Sequence, residues 1–172
     1  MGLVMMLRVL SVEYDAWHYA YADDLRMTAY YRYDEVGKGP ASVLDDVKRH
    51  LAAGIPVEFG FFVYQDVIRK AAGDGRIAAP LSSDKVLGGH AVLAVGYDDN
   101  MSFGGGETGA LVIRNSWGSK WGDKGYGYLS YRYFDLNLVG DFWSVLKVDL
   151  LSFEDSYKES GSKWSLSKIL FL

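Results

Sequence analysis

The chain has 172 residues, enough for one ordinary domain and short for two. Apolar residues make up 49% and charged residues 23%, a balance that excludes intrinsic disorder. The net charge of −4 offers no basic footprint for nucleic acid, and the absence of cysteine excludes disulfides, thiolate metal sites and an internal thiol nucleophile.

Met1–Val12 is apolar apart from Arg8 and Ser11. No charged region precedes the apolar stretch and no small-residue cleavage site follows it, so it reads as a buried segment or the stump of something longer, not a convincing signal peptide. No apolar run approaches the roughly 18–20 residues of a membrane span. The compartment stays unassigned. Asp15–Arg26 is predicted as a short helix from the rhythm of Ala16, Tyr19, Ala20 and Asp23. Met27–Tyr33, rich in Tyr and Thr, is predicted as a strand.

Ser42–Ala53 carries the clearest helical pattern. Ser42 is the expected cap, with Asp45 three residues on. Val43, Leu44, Val47 and Leu51 form one apolar stripe, and Gly54 and Pro56 end the helix. Val57–Tyr64 alternates as a strand, with Phe59, Phe61 and Val63 opposite Glu58, Gly60 and Phe62. Asp66–Ala72 is a second short helix, and Gly73 to Lys85 a loop. The strands His90–Tyr97, Ala110–Arg114, Tyr126–Tyr131 and Phe142–Val148 follow. Between them lie a glycine-rich loop at Asp98–Gly109 and another at Asn115–Gly125. Leu151–Leu172 is a tail. Together these imply an α+β fold, a mostly antiparallel β-sheet or partial barrel with peripheral helices. The expected division is 1–26 as an apolar segment and short helix, 27–149 as the β-rich lobe, and 150–172 as the tail.

Three histidines are present. They are spread too widely for a paired-histidine metal motif, and there is no H-E-x-x-H, so no metal or cofactor is expected. His18 reads as a partly buried aromatic. His50, on the helix flank opposite Leu44 and Leu51, reads as a solvated surface residue. His90 differs, because it opens an apolar strand just after Gly88-Gly89. A bare backbone there lets a ligand or another segment approach the imidazole, which suits a general base. A turn histidine at a strand start is an equal reading of that feature alone. Asn115 ends a strand expected to pair with that of His90. Its amide oxygen can accept the imidazole proton and fix tautomer and orientation. Trp117 can then cover the bond and exclude water. The tetrapeptide Asn115-Ser116-Trp117-Gly118 alone would also suit a turn with an aromatic plug.

The ordered set is more specific than its parts. It comprises Gly88-Gly89-His90-Ala91-Val92-Leu93-Ala94-Val95-Gly96-Tyr97, then Leu111-Val112-Ile113-Arg114-Asn115-Ser116-Trp117-Gly118, Trp121-Gly122 and Gly125-Tyr126. This set resembles the papain-like cysteine peptidases over 88–131. The likeness reaches more weakly back to Ala53–Val57 and Val63-Tyr64, and forward to Asp141-Phe142-Trp143. It covers only the C-terminal, histidine- and asparagine-bearing lobe. The resemblance implies His90 as acid/base, Asn115 as its orienting partner, Trp117 as a shield over their bond and Gly89 as open backbone beside the substrate. It implies a peptide or protein substrate and no cofactor.

The family's reaction also needs a cysteine thiolate that forms an acyl-enzyme. In such peptidases the histidine and asparagine follow that cysteine by roughly 130–150 residues, so its expected place lies about 40–60 residues before Met1. The oxyanion glutamine is likewise unmatched, since Gln65 does not fit its motif. Residues 1–26 are then a remnant of the missing lobe, whose loss would expose the face around His90 and Trp117. A cysteine-bearing N-terminal lobe on a separate chain, or self-association through the half-cleft, are the implied partners. Two readings remain: an incomplete peptidase, inactive alone, and a non-catalytic peptide- or protein-binding module. Ser116 as an alternative nucleophile is disfavoured, because in the relatives the side chain at that place does not face the cleft.

Overall fold

The computed structural model describes the backbone of residues 25–150 and the side chains of residues 29–147. The chain divides into two compact units, Tyr30–Leu146 and a second to which the outer ends of the first and last strands belong. The site and core lie in Tyr30–Leu146.

Seven strands form one sheet: β1 (Leu25–Arg32), β2 (Val57–Tyr64), β3 (Arg76–Ile77), β4 (Val86–Gly104), β5 (Glu107–Arg114), β6 (Tyr126–Ser130) and β7 (Val139–Leu150). Their order is β1-β7-β2-β4-β5-β6-β3. The pairs β2–β4, β2–β7, β4–β5 and β5–β6 are antiparallel, and the two-residue β3 joins β6 in parallel. Among the described residues, three helices accompany the sheet: α1 (Pro40–Ala52), α2 (Gln65–Asp74) and α3 (Arg132–Asp135). The α+β expectation holds.

The core forms on one face of this sheet. Strand β2 has the expected bounds and buries Val57, Phe59, Phe61 and Val63. Full burial of each such side chain contributes about 1.5–3 kcal/mol, which makes this face the anchor of the unit. Val43, Val47 and Leu51 of α1 and Val67 and Ala71 of α2 pack into the same cluster. Phe142 of β7 stacks between Phe59, at 5.0 Å, and Phe134 of α3, at 5.3 Å.

Several expectations need correction. Strand β1 takes Leu25 and Arg26 from the predicted first helix, whose other residues lie outside the described range, as do His18, Met1–Val12 and the tail. Helix α1 begins at Pro40 after Gly39, not at Ser42, and no side chain caps it. Proline suits the first turn because its missing N–H would lack an intrahelical partner there anyway. Gly73 and Asp74 extend α2, and β3 interrupts the predicted 73–85 loop.

The largest correction is at 98–109. No loop forms; β4 and β5 run on as a hairpin whose strands end at Gly104 and Glu107. Gly104, Gly105 and Gly106 all have positive φ, so the three glycines make a tight tip that other residues would strain. Asp99 pins the extension. It accepts Lys48 Nζ from α1 at 2.6 Å and Tyr131 OH at 2.8 Å, and these donors hold its carboxyl below the usual range. The Tyr131 ring fills the space over Gly109, where a Cβ would lie 2.3 Å from it.

Candidate active site

His90 stands where the core face of β4 opens. Val92 and Ala94, on the same side of the strand, are buried, while His90 is half-buried. Its register partner is Phe61, whose ring meets the imidazole edge-on at 5.9 Å. Sequence alternation places Phe61 only on one face of its strand, with Phe59 and Val63. Its place beneath the imidazole needs the β2–β4 register, which periodicity alone does not give.

Asn115 follows directly on β5, which pairs with β4 through Leu93↔Arg114. Its N–H donates to Gly125 O at 2.9 Å, and Gly125 N–H donates to Trp121 O at 2.8 Å. These bonds fold the glycine-rich loop back beneath the site. Trp121 is buried and closely packed on Gly127, where a Cβ would lie 2.8 Å from the indole. The Trp117 ring meets that of Trp121 at 5.3 Å and 90°. Trp117 is thereby propped over the imidazole, stacked at 4.5 Å and 20°, though 43% exposed on its outer side.

His90 Nε2 lies 2.9 Å from Asn115 Oδ1. The Ser116 N–H donates to the same oxygen at 2.8 Å, which identifies that atom as the acceptor end of the amide. His90 must then donate from Nε2. A neutral ring carries its proton there and leaves Nδ1 as a free acceptor. Asn115 is 6% exposed, so the bond is shielded from water. The amide Nδ2 has no partner among the described residues. Gly88 and Gly89 are exposed, and a Cβ at either would meet nothing within 4 Å. The arrangement can therefore take a proton at Nδ1 beside an unobstructed strand.

Other expected residues lie elsewhere. Gln65 is the exposed first residue of α2, bonded through its N–H to Lys85 O at 2.9 Å. Ser116 enters the site through its backbone N–H. His50 corrects the solvated reading: it is half-buried, stacked on Tyr31 at 5.1 Å and edge-on to Tyr33 at 4.9 Å. Among the described residues no group of acidic and histidine side chains could hold a metal ion, and no helix is long and apolar enough to cross a membrane.

A family model described as papain family cysteine protease matches residues 11–137. Over 107 residues the chain is 37% identical to a peptidase C1-like protein of Acanthamoeba polyphaga mimivirus, covering 61% of this chain and 32% of that protein. It is 31% identical over 101 residues to a cathepsin L-like proteinase of Fasciola hepatica, covering 59% of this chain and 27% of that one. Among solved structures it is similar to xylellain, a cysteine protease from Xylella fastidiosa. That match has 35% identity and a TM-score of 0.62, covering 78% of this chain and 46% of the other. The chain thus spans about a third of the length of these curated relatives.

Proposed function

Since the chain belongs to the papain family of cysteine proteases, we propose that Tyr30–Leu146 supplies the acid/base half of a thiol peptidase site acting on peptides or proteins. One observation carries the reading. His90 donates from Nε2 to the shielded Asn115 oxygen at 2.9 Å, which leaves Nδ1 free at an open strand. In the reaction, Nδ1 takes the proton of a cysteine thiol and the thiolate adds to a substrate carbonyl. The imidazolium then returns the proton to the leaving amine as the tetrahedral adduct collapses to an acyl-enzyme, which water hydrolyses. Asn115 holds the ring throughout, and Trp117 keeps water from their bond.

This sequence contains no cysteine, so the thiol comes from a partner segment. A receptive surface adjoins His90. The outer face of β4 presents Leu93 and Val95, 36% and 41% exposed. Exposed apolar side chains of this kind favour burial against a partner. A cysteine-bearing N-terminal lobe, made separately and mixed with this chain, should bind it and hydrolyse peptide–coumarin substrates. His90→Ala in the mixture should abolish turnover without abolishing binding. Failure of the two pieces to associate would reject the two-chain peptidase.

The absent cysteine favours a second reading, a module that holds peptides without cutting them. Its mark is peptide affinity of the chain alone that falls on Trp117→Ala or His90→Ala. Affinity indifferent to both substitutions rejects this half-cleft as the binding site.

A further inference from the structure

Asn115 and Trp117 hold the imidazole from one flank only. Strand β4 lies between β2 and β5 in the sheet, and both residues follow on from β5. The single bond at Nε2, 2.9 Å long, lets the ring pivot about that contact. Histidine χ2 is a broad, roughly twofold torsion, so it sets no sharp angle of its own. Trp117 covers the ring at 4.5 Å but, 43% exposed, is packed on its inner side alone. What fixes the angle must therefore come from the β2 flank.

Phe61 stands on that flank. Register sets it opposite His90, and its ring meets the imidazole at 5.9 Å and 68°. It is 3% exposed. Two further rings close on it, Tyr133 at 6.0 Å and 75° and Phe59 at 6.5 Å and 43°. Tyr133 is fully buried, and Phe59 is itself stacked on Phe142 at 5.0 Å. Phe61 has no space into which to give way, because a close-packed interior transmits displacement and does not absorb it. The two aromatic neighbours of the imidazole thus differ: Trp117 borders water, and Phe61 is fixed by the core. An edge-on ring also offers a flat, rigid limit that the mobile methyl groups of an aliphatic side chain do not.

We propose that Phe61 is a positioning residue for His90. Its fixed ring holds the imidazole at the one χ2 angle that keeps Nε2 on Asn115 and leaves Nδ1 open beside the bare strand. The bearing on turnover rests on the peptidase reading of His90, whereas the hold on the ring is measurable in this chain alone.

The test compares two variants of the full chain, Phe61→Leu and Phe142→Leu. Phe142 is as deeply buried, at 1%, and among the described residues its ring meets Phe59 and Phe134, with no contact to Phe61 or His90. Histidine side-chain NMR reads the ring. In the unsubstituted chain the His90 ring protons should be shifted upfield by the stacked indole and show contacts to the Phe61 ring. Phe61→Leu should carry those shifts about halfway back to free-histidine values as χ2 averages. It should also speed exchange of the Nε2 proton with water about tenfold. In a mixture with a cysteine-bearing lobe, it should lower kcat about tenfold with KM nearly unchanged. Phe142→Leu should leave the His90 signals and kcat unchanged at equal folded fraction.

Equal effects of the two substitutions on His90 or on kcat, or no effect of Phe61→Leu, would overturn the positioning role. The unsubstituted chain decides where a variant does not fold: one χ2 angle with Phe61 contacts supports the role, and an averaged χ2 overturns it. His90 signals that loosen in Phe61→Leu while the unsubstituted mixture shows no turnover would uphold the hold on the ring and overturn the acid/base reading alone.

Discussion

Two histidines of this unit sit in nearly matching aromatic company but are bonded and approached differently. His50 stacks on Tyr31 at 22° and His90 on Trp117 at 20°, and each has one ring nitrogen bonded. His50 Nδ1 bonds the carbonyl of Asp46, one turn back on its own helix, and its ring is wedged against Tyr33. His90 bonds a side chain 25 residues away on a neighbouring strand, beside exposed glycines. The first partner is supplied by the helix itself and closes a packed corner. The second exists only because two strands and a folded loop bring it there, and it leaves the other nitrogen open. A stacked ring and one bond thus do not set His90 apart from His50; the bare approach beside exposed Gly88 and Gly89 does, and on it the proposed role rests.

The sharpest way to break the packed corner alone is Tyr33→Ala. Tyr33 is fully buried, and its hydroxyl pairs with Ser144 Oγ at 2.7 Å, which donates in turn to Pro56 O at 2.7 Å. The substitution should cost about 3–5 kcal/mol in urea unfolding. It should leave the His90 imidazole signals of the folded fraction unchanged. Next in size is the histidine pair itself. His50→Ala should lower stability by about 1–2 kcal/mol. His90→Ala should stay within about 1 kcal/mol, because its ring is partly exposed, yet abolish turnover in the two-lobe mixture. Equal stability losses would contradict the distinction.

Acid should separate the corners further. Lys38, bonded to Asp46 at 2.7 Å, lowers the Asp46 pKa most, with help from Arg49. A folded-state pKa below the unfolded one stabilises the fold at neutral pH, and that contribution is lost as pH falls through the folded value. Asp46→Asn should flatten this part of the acid limb of a stability–pH curve, and Asn115→Ala should not. The smallest stability effect is expected from Trp117→Ala, about 1 kcal/mol or less given its exposed outer face. The same substitution should still reduce peptide affinity.

Much of this contrast was legible in the sequence. The alternation of Val57–Tyr64 gave β2 its bounds, and the stripe on Ser42–Ala53 gave α1 its buried face, because periodicity reports burial directly. His90, Asn115 and Trp117 were legible as an ordered motif, and the structure brings the three together. The role of His50 was not, since a helical wheel places it on a flank but cannot show that Tyr31 and Tyr33 arrive there from another element. The hairpin at 98–109 was missed because Gly104-Gly105-Gly106 signals a turn without fixing how far the flanking strands run. Asp99 and Tyr131, which hold that extension, are 32 residues apart.

Everything proposed for the site turns on Asn115 holding His90 with its proton on Nε2 and Nδ1 open. The most direct test is side-chain nitrogen NMR of the full chain, at a pH where the imidazole is neutral. His90 should show a protonated Nε2 and an unprotonated Nδ1, with that preference lost in Asn115→Ala. A proton on Nδ1, or a tautomer that ignores Asn115→Ala, would contradict it.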